Sequence, residues 1–171
     1  MLRLLLLRHA KSAWPAGVAD RERPLARRGL KAAPLMGGYI ADEGLIPDRV
    51  LVSPARRTAE TWELASHDWR RQPWHGFEEG IYEATPGELL DVVRHRGEDG
   101  GSLMLVGHNP GMEEFARELL LPEEAVRLPV KYPTAGLAVI DLPAARWADV
   151  APESGTLERF VTPKQLGGEE D

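Results

Sequence analysis

Three stretches of the 171-residue chain carry side chains that could handle an anion, and each follows an apolar run. Leu2 to Leu7 end in Arg8-His9, Val50-Leu51-Val52 lead into Ser53-Pro54-Ala55-Arg56-Arg57, and Ser102 to Val106 break at Gly107-His108. Histidine is a nucleophile when one ring nitrogen keeps its lone pair, and arginine presents a planar fork of donors that matches phosphoryl oxygens. Phosphoryl transfer asks mainly for positioning and for charge stabilisation on those oxygens. His9 is therefore the candidate phosphate-accepting nucleophile, and its other ring nitrogen should donate to a carbonyl that fixes the tautomer. Neighbouring cations would keep it neutral. Arg8, Arg56 and a protonated His108 are the candidates to hold the oxygens, which leaves no need for magnesium.

The pair Arg56-Arg57 falls in the first turn of an expected helix, where the macrodipole disfavours each cation by a few tenths to about 1 kcal/mol. An anion bound at that helix start would turn the penalty into recruitment, because free backbone N–H groups and an arginine fork bind it together. Arg56 is assigned that role, and Arg57 reads as a surface arginine with its stem laid along the protein. His67, His75 and His95 have no ligand-like spacing and read as structural or surface residues, so no metal site is expected.

These side chains need rigid supports. The unbroken apolar run Leu4 to Leu7 marks a strand covered on both faces, and Val50–Val52 and Ser102–Val106 read the same way. A long ordered loop is expected from Lys11 to Arg28. A helix follows over Gly29 to Gly44, with Leu30, Ala33, Met36 or Gly37, and Ile40 inward. Ser53-Pro54 reads as an N-cap and first helical residue, opening a helix to about Trp69 in which Ala55, Ala59, Trp62, Ala65 and Trp69 form the core stripe. A weaker segment from Gln72 to Tyr82, with Trp74, Phe77 and Ile81, reads as a third strand followed by a loop. Thr85-Pro86-Gly87-Glu88 is a capping box for a helix to about Arg96, and Asn109-Pro110-Gly111 opens another with Met112, Phe115, Ala116, Leu119 and Leu120 inward. Two further strands are expected over Gly136–Leu142 and Thr156–Thr162. Strands alternating with helices imply an α/β fold, a three-layer α/β/α sandwich around a mostly parallel sheet, and ligands bind beyond the carboxyl ends of such strands.

Hydrophobic residues make up 43% and charged residues 28% of the chain, normal values for a globular protein. The length suits one domain, taken as residues 1–166, with the polar 167–171 expected to be a disordered acidic tail. The absence of cysteine excludes disulfides, thiolate nucleophiles and cysteine-ligated metals. The opening apolar run, about six residues, is too short for a signal or membrane segment, so a cytoplasmic location is expected. A net charge of -6 gives no reason for nucleic acid or an anionic membrane to bind.

Taken as an ordered set, Arg8-His9-Ala10-Lys11-Ser12, Arg23-Pro24-Leu25 before Gly29, Leu51-Val52-Ser53-Pro54 with Arg56 and Thr61, and Gly107-His108-Asn109-Pro110 resemble the histidine phosphatase superfamily, the phosphoglycerate mutase-like fold. The likeness is to its short branch, the SixA-type phosphohistidine phosphatases, and Pro163-Lys164 is similar too. The broad superfamily has Gly where Ala10 stands here, and the short branch shares that departure. The resemblance implies a hydrolase with no required cofactor, in which His9 becomes phosphorylated and Arg8, Arg56 and His108 hold the phosphoryl group. It places Arg23, with Ser12 of the first matching stretch, on the substrate side. The partner would be a phosphorylated protein or a small phosphorylated compound.

A general acid is harder to place. Glu83, with Glu78 and Glu79 beside it, is a candidate, and each also reads as a solvated loop carboxylate. An alcohol leaves poorly without protonation, whereas imidazole, with a conjugate-acid pKa near about 6.5, is largely ready to leave. A weak acid position favours phosphohistidine over phosphomonoesters. The alternatives are a broad phosphomonoesterase, a mutase, for which the short chain offers little lid, and a noncatalytic phosphate-binding module.

Overall fold

The computed structural model of the chain describes residues 1–169. Six strands form one sheet: β1 (Leu2–Arg8), β2 (Arg49–Val52), β3 (Trp74–Phe77), β4 (Ser102–Gly107), β5 (Leu137–Leu142) and β6 (Thr156–Val161), in the order β3-β2-β4-β1-β5-β6. The pairings β2·β3, β2·β4 and β1·β4 are parallel, and β5 runs antiparallel to both β1 and β6. The helices are α1 (Arg27–Asp42), α2 (Arg56–Ser66), α3 (Pro86–Arg96), α4 (Gly111–Leu119) and the single turn α5 (Pro122–Ala125). None is long and apolar enough to cross a membrane among the described residues.

The unbroken leucine run is explained by two cores, one on each face of the sheet. Leu4 and Leu6 pack with Leu103, Leu105 and Leu51 against the α3 and α4 residues Leu89, Val93, Met112 and Phe115. Leu5 and Leu7 pack with Met104, Val106, Val50 and Val52 against Ala33, Met36, Ile40, Trp62 and Trp69. Alternate side chains point to opposite faces of a strand, so a strand covered twice must be apolar at every position. All four residues Leu4 to Leu7 have no exposed surface.

Expected and observed helices differ where backbone contacts override pattern. Gly29, not Leu30, faces inward at the start of α1, and Leu30 is about half exposed. A Cβ at Gly29 would lie 2.1 Å from the Lys11 carbonyl oxygen, so only glycine lets α1 close on the loop that follows β1. The capping box at Thr85 and Glu88 forms as expected, and so does the α4 stripe. Ser53 does not cap α2: the cap position is Ala55, without a side-chain bond, and the helix ends at Ser66. Trp69 lies beyond that end and is still buried, its indole N–H donating to the Gly37 carbonyl at 2.9 Å.

The expected tail is partly structured. Gly168 N–H donates back to the Pro163 carbonyl at 2.8 Å, and a Glu169 carboxylate oxygen lies 3.8 Å from the Arg28 guanidinium. A glycine pair lets the chain turn back after a short 3-10 helix at Lys164–Leu166, with Gly167 at φ 88° in the left-handed region. The part of the tail expectation that concerns Glu170 and Asp171 lies outside the described residues.

Candidate active site

Strand register assembles the site. β1 and β4 pair with Arg8 opposite Gly107, and the His9 N–H donates to the Gly107 carbonyl at 3.0 Å, so His9 and His108 leave adjacent strand ends side by side. Their ring centroids are 5.4 Å apart. β2 and β4 pair with Val52 opposite Val106, and Ser53 N–H donates to the Val106 carbonyl at 3.0 Å. Ser53 thereby lies beside His108, with its Oγ 2.7 Å from Nε2. Gly107 lets the Ile81 and Met112 side chains pack close at this crossing, since a Cβ there would come within 2.9 Å of both and they would have to shift.

The His9 ring is buried, and its Nδ1 lies 2.7 Å from the Ala10 carbonyl oxygen. A carbonyl can only accept, so Nδ1 carries the hydrogen and Nε2 keeps its lone pair. Burial lowers the His9 pKa to about 4, and Arg8, Arg57 and Arg23 push the same way against the opposing Ala10 bond. The ring is therefore neutral at physiological pH. Thr61 on α2 accepts from the Ala10 N–H at 3.0 Å and so pins the backbone that presents the ring.

His108 also has a lowered pKa, about 3, chiefly from burial and then from His9 and Arg57, with Asp20 opposing. The expectation of a protonated His108 is corrected for the free site: beside arginines and away from water its charged form is disfavoured. A neutral His108 can still donate one hydrogen bond. Its Nδ1 is buried without a partner among the described residues, and a serine hydroxyl that donates to Nε2 would place the ring hydrogen on Nδ1.

The arginine expected from α2 is replaced by its neighbour. Arg56 is exposed, and its guanidinium lies 3.4 Å from Glu60 one turn on. Arg57 is buried, with Nη1 donating to the Asp20 carbonyl at 2.8 Å and Nη2 to its carboxylate at 3.1 Å, while its buried Nε has no partner among the described residues. Because Ser53 is not the cap, α2 starts later, and the inward face carries Arg57, Thr58, Thr61, Trp62 and Ala65. The spacing of Arg57 to Thr61, one turn apart on the face of the core residues Trp62 and Ala65, was the signal available in the sequence. Arg56 shares the outer face with Glu60.

Arg8 is half-buried and donates to the Tyr132 carbonyl at 2.8 Å. Arg23 is buried and engaged with the chain itself, through Ala13 O at 3.0 Å, Asp20 at 3.1 Å and Ser12 Oγ at 2.5 Å. Arg23 and Ser12 thus brace the loop between Lys11 and Arg28, and Arg23 adds its charge to the field at His9. The exposed Trp14 ring stacks on the Arg23 guanidinium, 3.2 Å from centroid to carbon. The position corresponding to Gly in the broad superfamily, Ala10, is fully buried in the core under α1 and α2.

Two residues absent from the sequence reading complete the site. Asp20, on a 3-10 turn (Asp20–Glu22), is bound by Tyr82, Arg23 and Arg57, which together hold its pKa at about 2. The Tyr82 hydroxyl donates to Asp20, and its ring stands edge-on to His108 at 5.6 Å. Burial and Asp20 raise its pKa to about 12. Neither stands next to a strand-end motif, so only the folded loop brings them in.

Beside these groups lies a cleft of about 440 Å³ bordered by Asp20, Arg57, Glu83, His108, Asn109 and Glu114 among others. Glu83 is exposed and sits at φ 53° in the left-handed region. Glu78 and Glu79 are engaged elsewhere, with Arg96 at 2.5 Å and Arg21 at 2.7 Å. His67, His75 and His95 are exposed and lie outside the site.

Comparison with known proteins agrees with this architecture. Residues 4–90 match the model of the histidine phosphatase superfamily (branch 1), and the chain belongs to that superfamily. The uncharacterized protein Rv1276c of Mycobacterium tuberculosis is 36% identical over 163 residues, covering 92% of this chain and 100% of that protein. The Agrobacterium tumefaciens structure assigned to the phosphohistidine phosphatase SixA superposes with a TM-score of 0.82 at 31% identity, covering 95% and 98% of the two chains. A structure of the protein histidine phosphatase SixA complexed with tungstate has a TM-score of 0.79 over 96% of this chain and 99% of that one. At 22% identity that likeness speaks for the fold alone. The chain is a phosphatase with the phosphoglycerate mutase-like fold, and SixA proteins are among its structural neighbours.

Proposed function

We propose that the protein hydrolyses phosphohistidine on a protein, through a phosphoryl group carried transiently on Nε2 of His9. The observation that carries this reading is the state of His9: Nδ1 is committed to the Ala10 carbonyl, Nε2 is unprotonated, and the surroundings keep the ring neutral. In the first step the Nε2 lone pair forms a bond to phosphorus while the bond from phosphorus to the donor nitrogen breaks, and the donor ring, protonated beforehand from solvent on its other nitrogen, keeps the electron pair and leaves as neutral imidazole. In the second, water attacks phosphorus and returns the electron pair to Nε2, releasing inorganic phosphate. Arg8, Arg57 and the His108 N–H supply positive potential to the equatorial oxygens. Ser53 acts through His108, holding its ring and tautomer. The unpartnered Arg57 Nε and His108 Nδ1 are donors that a phosphoryl group would satisfy.

The choice of phosphohistidine rests on proton supply. Asp20 holds a proton only near pH 2, so it is ionised at neutral pH and cannot protonate a leaving group. Glu78 and Glu79 are consumed by arginines. A leaving imidazole tolerates this poverty of acids better than an alkoxide does. Glu83 supports a second reading, a phosphomonoesterase, because it borders the cleft beside His108 and would be its acid. Turnover of free phosphohistidine and of an aryl phosphate by wild type and Glu83→Gln separates the two. The first reading expects faster turnover of phosphohistidine that is insensitive to Glu83→Gln. Equal rates that fall together in the variant would replace it with the second.

A further inference from the structure

The chain has only four lysines, Lys11, Lys31, Lys131 and Lys164, and its other permanently cationic side chains are arginines. All four line two adjoining depressions of about 260 and 250 Å³ that share Thr134, Pro163 and Glu169. Arg28 adds a fifth cation to the first of them. In a chain with a net charge of -6 this gathering of ammonium groups from four distant segments is a strong local reversal of sign.

The depressions adjoin the catalytic end of β1. Lys11 is two residues beyond His9, and Thr134 precedes Ala135, whose N–H donates to the His9 carbonyl at 2.9 Å. One acidic group already lies in the shared part: the carboxylate of Glu169, which follows the turn at Gly167 and Gly168 and lies 3.8 Å from Arg28. The type of cation matters. Arginine forks fix one planar oxyanion, whereas lysines are hydrated point charges on flexible stems that accept carboxylates in varied register. Two linked shallow hollows with lysines and prolines along them fit a peptide strand carrying several carboxylates better than one compact phosphate.

We propose that this lysine groove docks an acidic segment of the substrate protein, so that its phosphorylated residue is delivered to His9. The proposal rests on the reading of the site as a protein phosphohistidine phosphatase and names the feature such a protein must carry near the phosphorylated residue. Steering by opposite charge chiefly raises the rate of productive encounter and selects partners. The groove therefore acts on capture of the protein substrate and leaves the chemistry at His9 unchanged.

The test uses the full chain and the variant Lys31→Glu/Lys131→Glu, whose altered side chains are exposed and outside the catalytic set. Binding of fluorescent hexaglutamate is followed by anisotropy. Dephosphorylation is followed on a histidine-phosphorylated test protein bearing a Glu-rich stretch, on the same protein with Gln in that stretch, and on phosphoramidate. Hexaglutamate should bind saturably and compete with the Glu-rich protein but not with phosphoramidate. The double reversal should weaken binding and raise KM for the Glu-rich protein about tenfold, with kcat and phosphoramidate turnover within about twofold of wild type. Lys31→Arg/Lys131→Arg should retain most of the binding. Hexaglutamate that fails to bind, or binds both proteins equally, overturns the proposal, as does a single-stranded oligonucleotide that binds more tightly than hexaglutamate. Absence of phosphoramidate turnover in wild type would instead refute the phosphatase reading, and the hexaglutamate titration would still decide the groove.

Discussion

Replacing Arg57 by alanine should cripple the enzyme, and the same change at Arg56 should not. The two residues are adjacent, but the delayed start of α2 sends one inward and one to solvent. Arg57 lowers the pKa of both His9 and His108 through its charge, so its guanidinium is felt at both rings. A buried donor that stabilises charge developing in the transition state is typically worth a factor of about 10² to 10³ in kcat, or roughly 3 to 4 kcal/mol. Arg56 contributes one solvent-exposed pair with Glu60, worth at most about 1 kcal/mol of stability and nothing to the site. Arg57 also braces Asp20 with two hydrogen bonds, so part of its loss could act through the loop. Asp20→Asn separates the two effects, since it weakens the brace and leaves the arginine charge in place. Phosphate release from phosphohistidine by the three variants, with melting temperatures measured alongside, is the assay. Arg57→Ala should lose at least about a hundredfold in kcat/KM, and Asp20→Asn should lose much less. An Arg56→Ala loss equal to or greater than that of Arg57→Ala would refute the placement on which the account rests.

Other expectations follow from the same geometry. His9 and His108 titrate at about 4 and 3, so kcat/KM for a substrate without its own titration in this range should stay level from pH 7 down to about 4, where unperturbed histidines would cause a fall near 6.5. Their folded pKa values lie below the unfolded value, so the unfolded chain binds more protons on acidification. The stability this provides is complete above about 6.5 and is lost as pH falls through the folded values, roughly 3 kcal/mol for His9. Urea melts of wild type and His9→Gln at pH 7 and 4.5 should show the smaller drop in the variant. Ser53→Ala should lower kcat by about tenfold or more with little change in KM, because it removes the partner that orients His108; an unchanged kcat would deny Ser53 that role. Gly29→Ala should destabilise by about 1 to 3 kcal/mol, since its methyl group meets the Lys11 carbonyl, while Gly38→Ala in the same helix meets nothing and should stabilise by up to about 1 kcal/mol.

Much of the scaffold was legible in the sequence because its signals are local. The leucine run required a strand covered on both faces, Thr85-Pro86-Gly87-Glu88 carried its own cap, and the α4 stripe had clean helical spacing. The errors arose where a distant contact decides a local conformation. Ser53 has the chemistry of an N-cap, but strand pairing carries it to His108, and moving the helix start shifts the inward arginine by one position. Leu30 is the better core residue by hydrophobicity, yet the close approach of α1 to Lys11 reserves the inward position for Gly29. Asp20 and Tyr82 meet across about sixty residues of chain, a juxtaposition with no signature in spacing. The polar tail composition gave no hint that Gly167 and Gly168 fold back beside the lysines.

In the proposed reaction phosphorus is bonded transiently to His9. That bond is tested most directly by rapid quenching of the enzyme with phosphohistidine substrate, followed by peptide mass spectrometry under alkaline conditions. An acid-labile, alkali-stable phosphoryl group is expected on the peptide containing His9, absent from His9→Ala along with all turnover. A His9→Ala protein that still turns over substrate, or a phosphoryl group found on another residue, would contradict it.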